Sequence, residues 1–91
     1  MKGTEPESDT GVSSNVPISQ LEVSKGGVIS SLLTENSDLI RRLISMGFVP
    51  GRKVSLKSIV SDKGARIVTV GDSTIAIDLE MSSAVLVKVL G

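Results

Sequence analysis

The sequence predicts a mainly β domain that contains one short α-helix. Apolar residues alternate with polar ones through residues 53–60 and again through 85–89, which is the period of strands with one buried face. A single segment, residues 39–46, carries apolar residues at helical spacing instead. Short turns that contain glycine separate these segments, and 91 residues leave room for one domain with one hydrophobic core.

The N-terminal segment, residues 1–16, is predicted to be a disordered tail, and the folded domain is expected over residues 17–91. The tail is rich in Gly, Ser, Thr, Pro and acidic residues, so it cannot bury enough apolar surface to offset its ordering entropy. One lysine against three acidic residues leaves it with a net charge of −2, and the remainder of the chain carries +2. A regulatory role and a plain solvated extension are both open.

The first ordered elements are expected directly after the tail. Residues 17–21 predict a short helical turn or an extended entry, closed by Lys25, Gly26 and Gly27. Residues 28–33 then predict the first strand, because β-branched residues follow a glycine break.

The helix has recognisable signals at both ends. Asn36 or Ser37 can accept hydrogen bonds from the free N–H groups of its first turn. Gly47 follows the last periodic residue, where a left-handed C-terminal cap has no steric cost for glycine. We expect Leu43 and Ile44 to lie in the core. The apolar positions of the helix are Leu39, Ile40, Leu43, Ile44 and Met46.

Four further strands are expected after the helix. They cover residues 53–60, 67–70, 74–78 and 85–89, with turns at 61–64 and 71–73 and one helical turn at 79–83. Five short strands separated by tight turns, with one helix after the first strand, predict a small SH3-like five-stranded barrel. Barrel closure suits a short chain because it leaves few unpaired strand edges.

The composition argues against several functions. Histidine and cysteine are absent and Phe48 is the single aromatic residue. Without these usual bases and nucleophiles, and with no motif around any serine, we expect no enzymatic activity. The scattered carboxylates do not have ligand spacing, so we expect no metal site and no cofactor. A nucleic-acid-binding small barrel combines a basic groove with stacking aromatic residues, and the sequence indicates neither feature. With no membrane span or export signal, a cytoplasmic location is expected.

The segment LIRRLISMGFVPGRKV, residues 39–54, resembles the central motif of the ferrous iron transport protein A (FeoA) family. In that motif an amphipathic helix ends in a hydrophobic–Gly–hydrophobic–hydrophobic–Pro–Gly turn, and a strand begins at once. Weaker matches at residues 18–21 and 71–87 extend the resemblance to roughly residues 17–90. The chain departs from the family in its long tail, in the absence of proline from the 61–64 loop, and in the low number of basic residues around the helix.

This resemblance implies an SH3-like accessory protein of bacterial ferrous iron uptake. Such a protein would dock to the cytoplasmic GTPase portion of a membrane-embedded ferrous iron transporter and would not carry iron itself. Two other interpretations are open, namely the C-terminal domain of an iron-dependent repressor and a nucleic-acid-binding small barrel. Because only a tail precedes residue 17, the transport family is the better fit. Weak self-association through the docking surface is a further expectation.

The docking surface is expected around the helix and the turn that follows it. Phe48 has two interpretations: it plugs an end of the barrel, or it joins Met46 and Val49 in an exposed apolar patch. Gly47, Pro50 and Gly51 match backbone requirements of the turn and are predicted to be structural. Arg41 and Arg42 are either solvated helix charges or the rim of the patch. The candidate partner-binding residues are Leu39, Arg41, Arg42, Met46, Phe48 and Val49.

Overall fold

The computed structural model describes residues 14–61 and 64–89. Within these ranges the chain forms six strands, two α-helices and one 3₁₀ helix. In chain order the elements are β1 (Ser14–Pro17), the 3₁₀ helix (Ile18–Gln20), β2 (Gly26–Leu32), α1 (Ser37–Ser45), β3 (Lys53–Ile59), β4 (Arg66–Val70), β5 (Ser73–Ile77), α2 (Leu79–Ala84) and β6 (Val85–Val89).

The six strands form one antiparallel sheet in the order β1-β6-β2-β3-β4-β5. The register shifts between Ile29 and Ser31 in β2, and again between Leu56 and Ser58 in β3. Such bulges bend a strand and increase its twist, which lets the sheet curve around a core. The strands β1 and β5 are the two edges of the sheet.

The core lies on the concave side of this sheet. Along β3 and β6 the alternate valines and leucine predicted from the sequence are buried, with Val54, Leu56, Val85 and Val87 at most 3% exposed. The 3₁₀ helix, α1 and α2 cover this side with further apolar residues. These are Ile18, Leu39, Leu43, Met81 and Ala84.

The mainly β class with one short helix is confirmed, and each of the five predicted strands is present. The strand count is six because β1 also pairs with β6. Residues 14–16, which were expected in the tail, belong to this strand. This short strand shows no hydrophobic alternation, and its pairing depends on β6 more than seventy residues away. The remainder of the predicted tail, residues 1–13, lies outside the described residues, as do the two residues at the 61–64 loop tip, 62 and 63.

The strand β2 begins at a glycine pair that the sequence marked as a break. A Cβ atom on Gly26 would lie 2.7 Å from the Cα atom of Ser55, and one on Gly27 would meet the carbonyl oxygen of Lys88. Because neighbouring backbones approach so closely, only glycine fits at these positions. The glycine pair thus permits strand pairing on both sides of β2.

Candidate partner-docking site

The helix α1 is held at its start by a side-chain cap. The Oδ1 atom of Asn36 accepts hydrogen bonds from the backbone N–H groups of Asp38 at 3.0 Å and of Leu39 at 3.2 Å. Leu39 and Leu43 face the core, with 5% and 0% exposure. Of the two predicted caps, Asn36 is therefore the one used, and the buried residues fix which side of α1 faces solvent.

The turn after α1 directs the chain back into the core. Gly47 has a φ of 101°, in the left-handed region that glycine adopts without steric cost. The N–H of Phe48 then donates to the carbonyl oxygen of Leu43 at 2.9 Å, and the Phe48 ring is fully buried. Gly51 also has positive φ, at 94°, and its N–H donates to the Ile29 carbonyl oxygen at 2.8 Å. This turn thereby joins α1 to the sheet.

Of the two interpretations of Phe48, membership of an exposed apolar patch with Met46 and Val49 does not hold, because Phe48 is 0% exposed. Met46 and Val49 are half-buried. Leu39, another candidate partner residue, is also buried. Phe48 takes the structural role of the two interpretations, because it packs into the core cluster beneath the sheet.

The solvent side of α1 carries two isoleucines, and one of them, Ile44, was expected in the core. Ile44 is 48% exposed and Ile40, one turn before it, is half-buried. At about 100° per residue, Arg41 lies about 60° from Ile44 around the helix, whereas Arg42 lies about 160° away. We call Ile40, Arg41 and Ile44 the α1 strip. The sequence contains a signal of this exposure, because the five apolar residues of the predicted helix span a wider arc than the core-facing side of a helix requires.

The charges of α1 are solvated. Arg41 and Asp38 form an ion pair at 3.7 Å, with side chains 77% and 85% exposed. Such exposed pairs are worth less than about 1 kcal/mol, so Arg41 can exchange Asp38 for another carboxylate at little cost. Arg42 is exposed as well. Of the two predicted rim arginines, Arg41 therefore borders the exposed isoleucine.

A second exposed apolar residue lies beyond the candidate list. Leu33 is 51% exposed, and it lines a shallow depression of about 200 Å³ with Leu39 and residues of α2. Its N–H donates to the carbonyl oxygen of Ala84 at 2.6 Å, which links the end of β2 to the end of α2. The sequence placed Leu33 in the first strand and contained no signal of its exposure.

The described residues contain no group of three or more acidic side chains arranged to hold a metal ion. In the same part of the chain, no helix is both long and apolar enough to cross a membrane. The chemistry available at the α1 strip is apolar contact and ion pairing by a guanidinium group.

A six-stranded antiparallel sheet with one longer helix defines a small β domain of the SH3-like class. The family model of the FeoA domain matches residues 16–89. The chain therefore belongs to the FeoA family, as the motif at residues 39–54 predicted. FeoA proteins are accessory proteins of ferrous iron transport. Among curated proteins, none matches the chain.

Solved structures share this fold. An iron uptake regulatory protein, FeoA, is 26% identical and has a TM-score of 0.76, with 85% of this chain and 100% of that chain covered. The zinc complex of Stenotrophomonas maltophilia FeoA is 25% identical, with a TM-score of 0.70 and coverage of 80% and 89%. That protein is described as a prokaryotic SH3 domain protein suggested to activate ferrous iron transport. IdeR from T. acidophilum is 25% identical with a TM-score of 0.71, and the match covers 96% of this chain and 37% of IdeR.

Proposed function

We propose that this FeoA domain regulates bacterial ferrous iron uptake by docking, on the cytoplasmic side, to the GTPase portion of the ferrous iron transporter. The observation that carries the proposal is the α1 strip, in which a half-exposed isoleucine lies beside an exposed arginine. Membership of a ferrous iron transport family supports the choice of pathway. The suggested activating role of the Stenotrophomonas maltophilia protein supports an effect on the transporter.

The α1 strip suits a protein contact for physical reasons. A helix anchored by buried Leu39 and Leu43 presents Ile44 in a fixed position, so binding orders little new structure. An apolar centre with an arginine at its border matches the usual anatomy of protein interfaces. Ile44 supplies apolar area, and Arg41 supplies a guanidinium that pairs with a carboxylate of the partner.

Docking influences GTP hydrolysis if the domain binds one conformation of the GTPase more tightly than another. The difference in affinity then shifts the population toward the better-bound conformation. The domain needs no catalytic group for this effect, which agrees with a chain that has no histidine and no cysteine.

The test is a binding titration of the transporter's soluble GTPase domain with wild type and with Ile44→Gln. Loss of one exposed isoleucine from an interface removes about 1–2 kcal/mol, or roughly 5–30-fold in affinity. The matched control is Ile59→Gln, because Ile59 is 45% exposed but lies on β3. Arg41→Gln should also weaken binding. The loss of affinity should be larger at low salt than at high salt, because salt screens ion pairs.

Equal affinities of wild type and Ile44→Gln for the GTPase domain would exclude the α1 strip as the contact. No binding by wild type in any nucleotide state would exclude the GTPase as the partner. If Ile59→Gln weakens binding and Ile44→Gln does not, the contact lies on the sheet.

A second candidate function is a regulatory domain of an iron-dependent repressor. The match to T. acidophilum IdeR favours it, and this chain spans 37% of IdeR. An immunoblot of the native host distinguishes the two, since a repressor runs as a much larger polypeptide than a 91-residue chain.

A further inference from the structure

The convex face of the sheet, opposite the core, carries a row of two lysines. Val28 pairs with Lys88 on one side and with Lys53 on the other. Cross-strand partners point to the same face, and the neighbours Val54 and Val87 are buried, so both lysines point away from the core. Two strand spacings separate them, about 10 Å.

The described strands that form this face supply no opposing charge. The six described strands contain no aspartate and no glutamate. The ion pair found among the described residues joins Arg41 to Asp38 on α1, away from the sheet. Lys53 and Lys88 are both exposed, and the described strands offer them no carboxylate. The face therefore favours an anionic occupant.

A groove lies beside Lys53, and Val28 separates it from Lys88. It has a volume of about 320 Å³, and its lining includes Gly26, Val28, Lys53, Ser55 and Thr69. Gly26 contributes no side chain to the groove, and its backbone packs against β3. Ser55 and Thr69 are cross-strand partners that supply hydroxyl groups. A groove of this size admits one or two side chains of an extended peptide.

The chain itself contains an acidic segment that joins the sheet at β1, two strands away from this groove. Ser14, the first described residue, pairs with Val89, and Val89 pairs with Gly27 at the groove. Thirteen residues precede Ser14, and an extended segment of that length reaches about 40 Å. Two strand spacings from Ser14 to Gly27 amount to about 10 Å. The segment is therefore long enough to cross the groove.

The sequence of this segment complements the lysine row. It contains Glu5, Glu7 and Asp9 against one lysine, a net charge of −2. Acidic residues at every second position share one side of an extended chain, at intervals of about 6.6 Å. Two such intervals, about 13 Å, span the separation of Lys53 and Lys88.

We propose that residues 5–9 bind across the convex sheet face, over the groove at Gly26, with their carboxylates paired to Lys53 and Lys88. Because the segment is tethered to β1, its effective concentration at the groove is of the order of millimolar. Weak ion pairs are then sufficient to populate the bound form. The segment shields this cationic face from other anionic partners. The proposal is independent of the contact made by α1.

The absence of cysteine allows a direct test with one spin label. A nitroxide on Ser8→Cys in the ¹⁵N-labelled full chain should broaden the amide signals of Gly26, Lys53 and Thr69 more than those of α1. The broadening should be lost when salt rises from about 0.02 M to about 0.5 M, since screening shortens the reach of the ion pairs. Unchanged groove signals at low salt would overturn the proposal.

Charge variants separate binding at the lysine row from random proximity. Neutralisation of the segment with Glu5→Gln, Glu7→Gln and Asp9→Asn should abolish the broadening, as should Lys53→Gln with Lys88→Gln. The matched control is Glu22→Gln, Glu35→Gln and Glu80→Gln, which changes the net charge equally at exposed positions off the strands. Broadening that survives the first two variants, or is lost in the control, would contradict the proposal.

A mixed sample identifies the source of the segment. Spin-labelled chain without ¹⁵N is added to ¹⁵N chain without a label, so that any broadening is intermolecular. No broadening is expected in this sample. Broadening of the groove signals would show that a second copy supplies the segment and would overturn the intrachain assignment.

Discussion

The backbone of Gly27 in β2 lies against the carbonyl oxygen of Lys88 in β6, so that a methyl group at position 27 would overlap that oxygen. Gly27 also pairs with Val54 on its other side. The position is therefore enclosed by backbone from both neighbouring strands. A backbone neighbour cannot rotate away as a flexible side chain can, so steric relief requires the strands to separate.

Gly27→Ala should lower the free energy of unfolding by about 3 kcal/mol, because the new methyl group forces β2 and β6 apart. Gly51→Ala is the matched control. Gly51 has a φ of 94° and no atom within 4 Å of its Cβ position, so its substitution costs about 1–2 kcal/mol of backbone strain only. Urea denaturation measures both. Equal losses for the two variants would show that close strand contact is not what selects glycine at position 27.

Phe48→Ala should lower the free energy of unfolding by about 3–5 kcal/mol, because the ring is fully buried among core residues. Phe48→Leu retains most of the volume and should cost about 1 kcal/mol. Ile44→Gln should change stability by less than about 0.5 kcal/mol, because Ile44 is half-exposed. Thermal or urea unfolding checks this order. A stable Phe48→Ala variant would return Phe48 to the list of surface candidates.

Asn36→Ala should lower the free energy of unfolding by about 1 kcal/mol, because two N–H groups at the start of α1 lose their acceptor. Asn36→Asp keeps a side-chain acceptor and adds a charge that the helix dipole favours, so it should retain wild-type stability. Hydrogen exchange of the Asp38 and Leu39 amides gives a local readout. Faster exchange in Asn36→Ala alone is expected, and identical exchange in both variants would contradict the cap.

Arg66→Lys should lower stability by about 1–2 kcal/mol although the charge is kept. The guanidinium Nη1 donates to the carbonyl oxygen of Gly64 at 2.8 Å, and Nη2 donates to that of Ser19 at 3.1 Å. These bonds link the β3–β4 hairpin to the 3₁₀ helix. A lysine has one ammonium nitrogen, so it does not reproduce two hydrogen bonds from two separate nitrogens. Arg41→Lys, on the exposed surface, is the control and should be neutral. Equal stability of the two lysine variants would argue against the link.

The elements with strong local patterns were predictable from sequence. The cap at Asn36 and the glycine after the helix defined α1, and the alternation of residues 53–60 and 85–89 defined two strands. The buried face of β3 ends at Leu56, where the register shifts, so Val60 is exposed against the expected alternation. The strand β1 was not predictable. Its four residues show no alternation of apolar and polar side chains, and their strand conformation depends on pairing with β6.

The α1 strip of the proposed function keeps Arg41 from the candidates that the sequence suggested, but not Leu39 or Phe48. Phe48 and Leu39 were candidates for contact and are buried, whereas Ile44 was expected in the core and is exposed. Local sequence shows which residues are apolar and how they are spaced. It does not show how much of an apolar helix face the rest of the protein covers. The buried edge and the exposed edge of such a face therefore cannot be told apart from the sequence.

The sequence by itself determined the fold class, the FeoA family and the lack of imidazole and thiol groups, because these follow from composition, local periodicity and one contiguous motif. Only the tertiary structure decided which apolar residues reach solvent and that two lysines from distant strands share one face. The physical reason is that burial and cross-strand register are set by contacts between segments far apart in the chain.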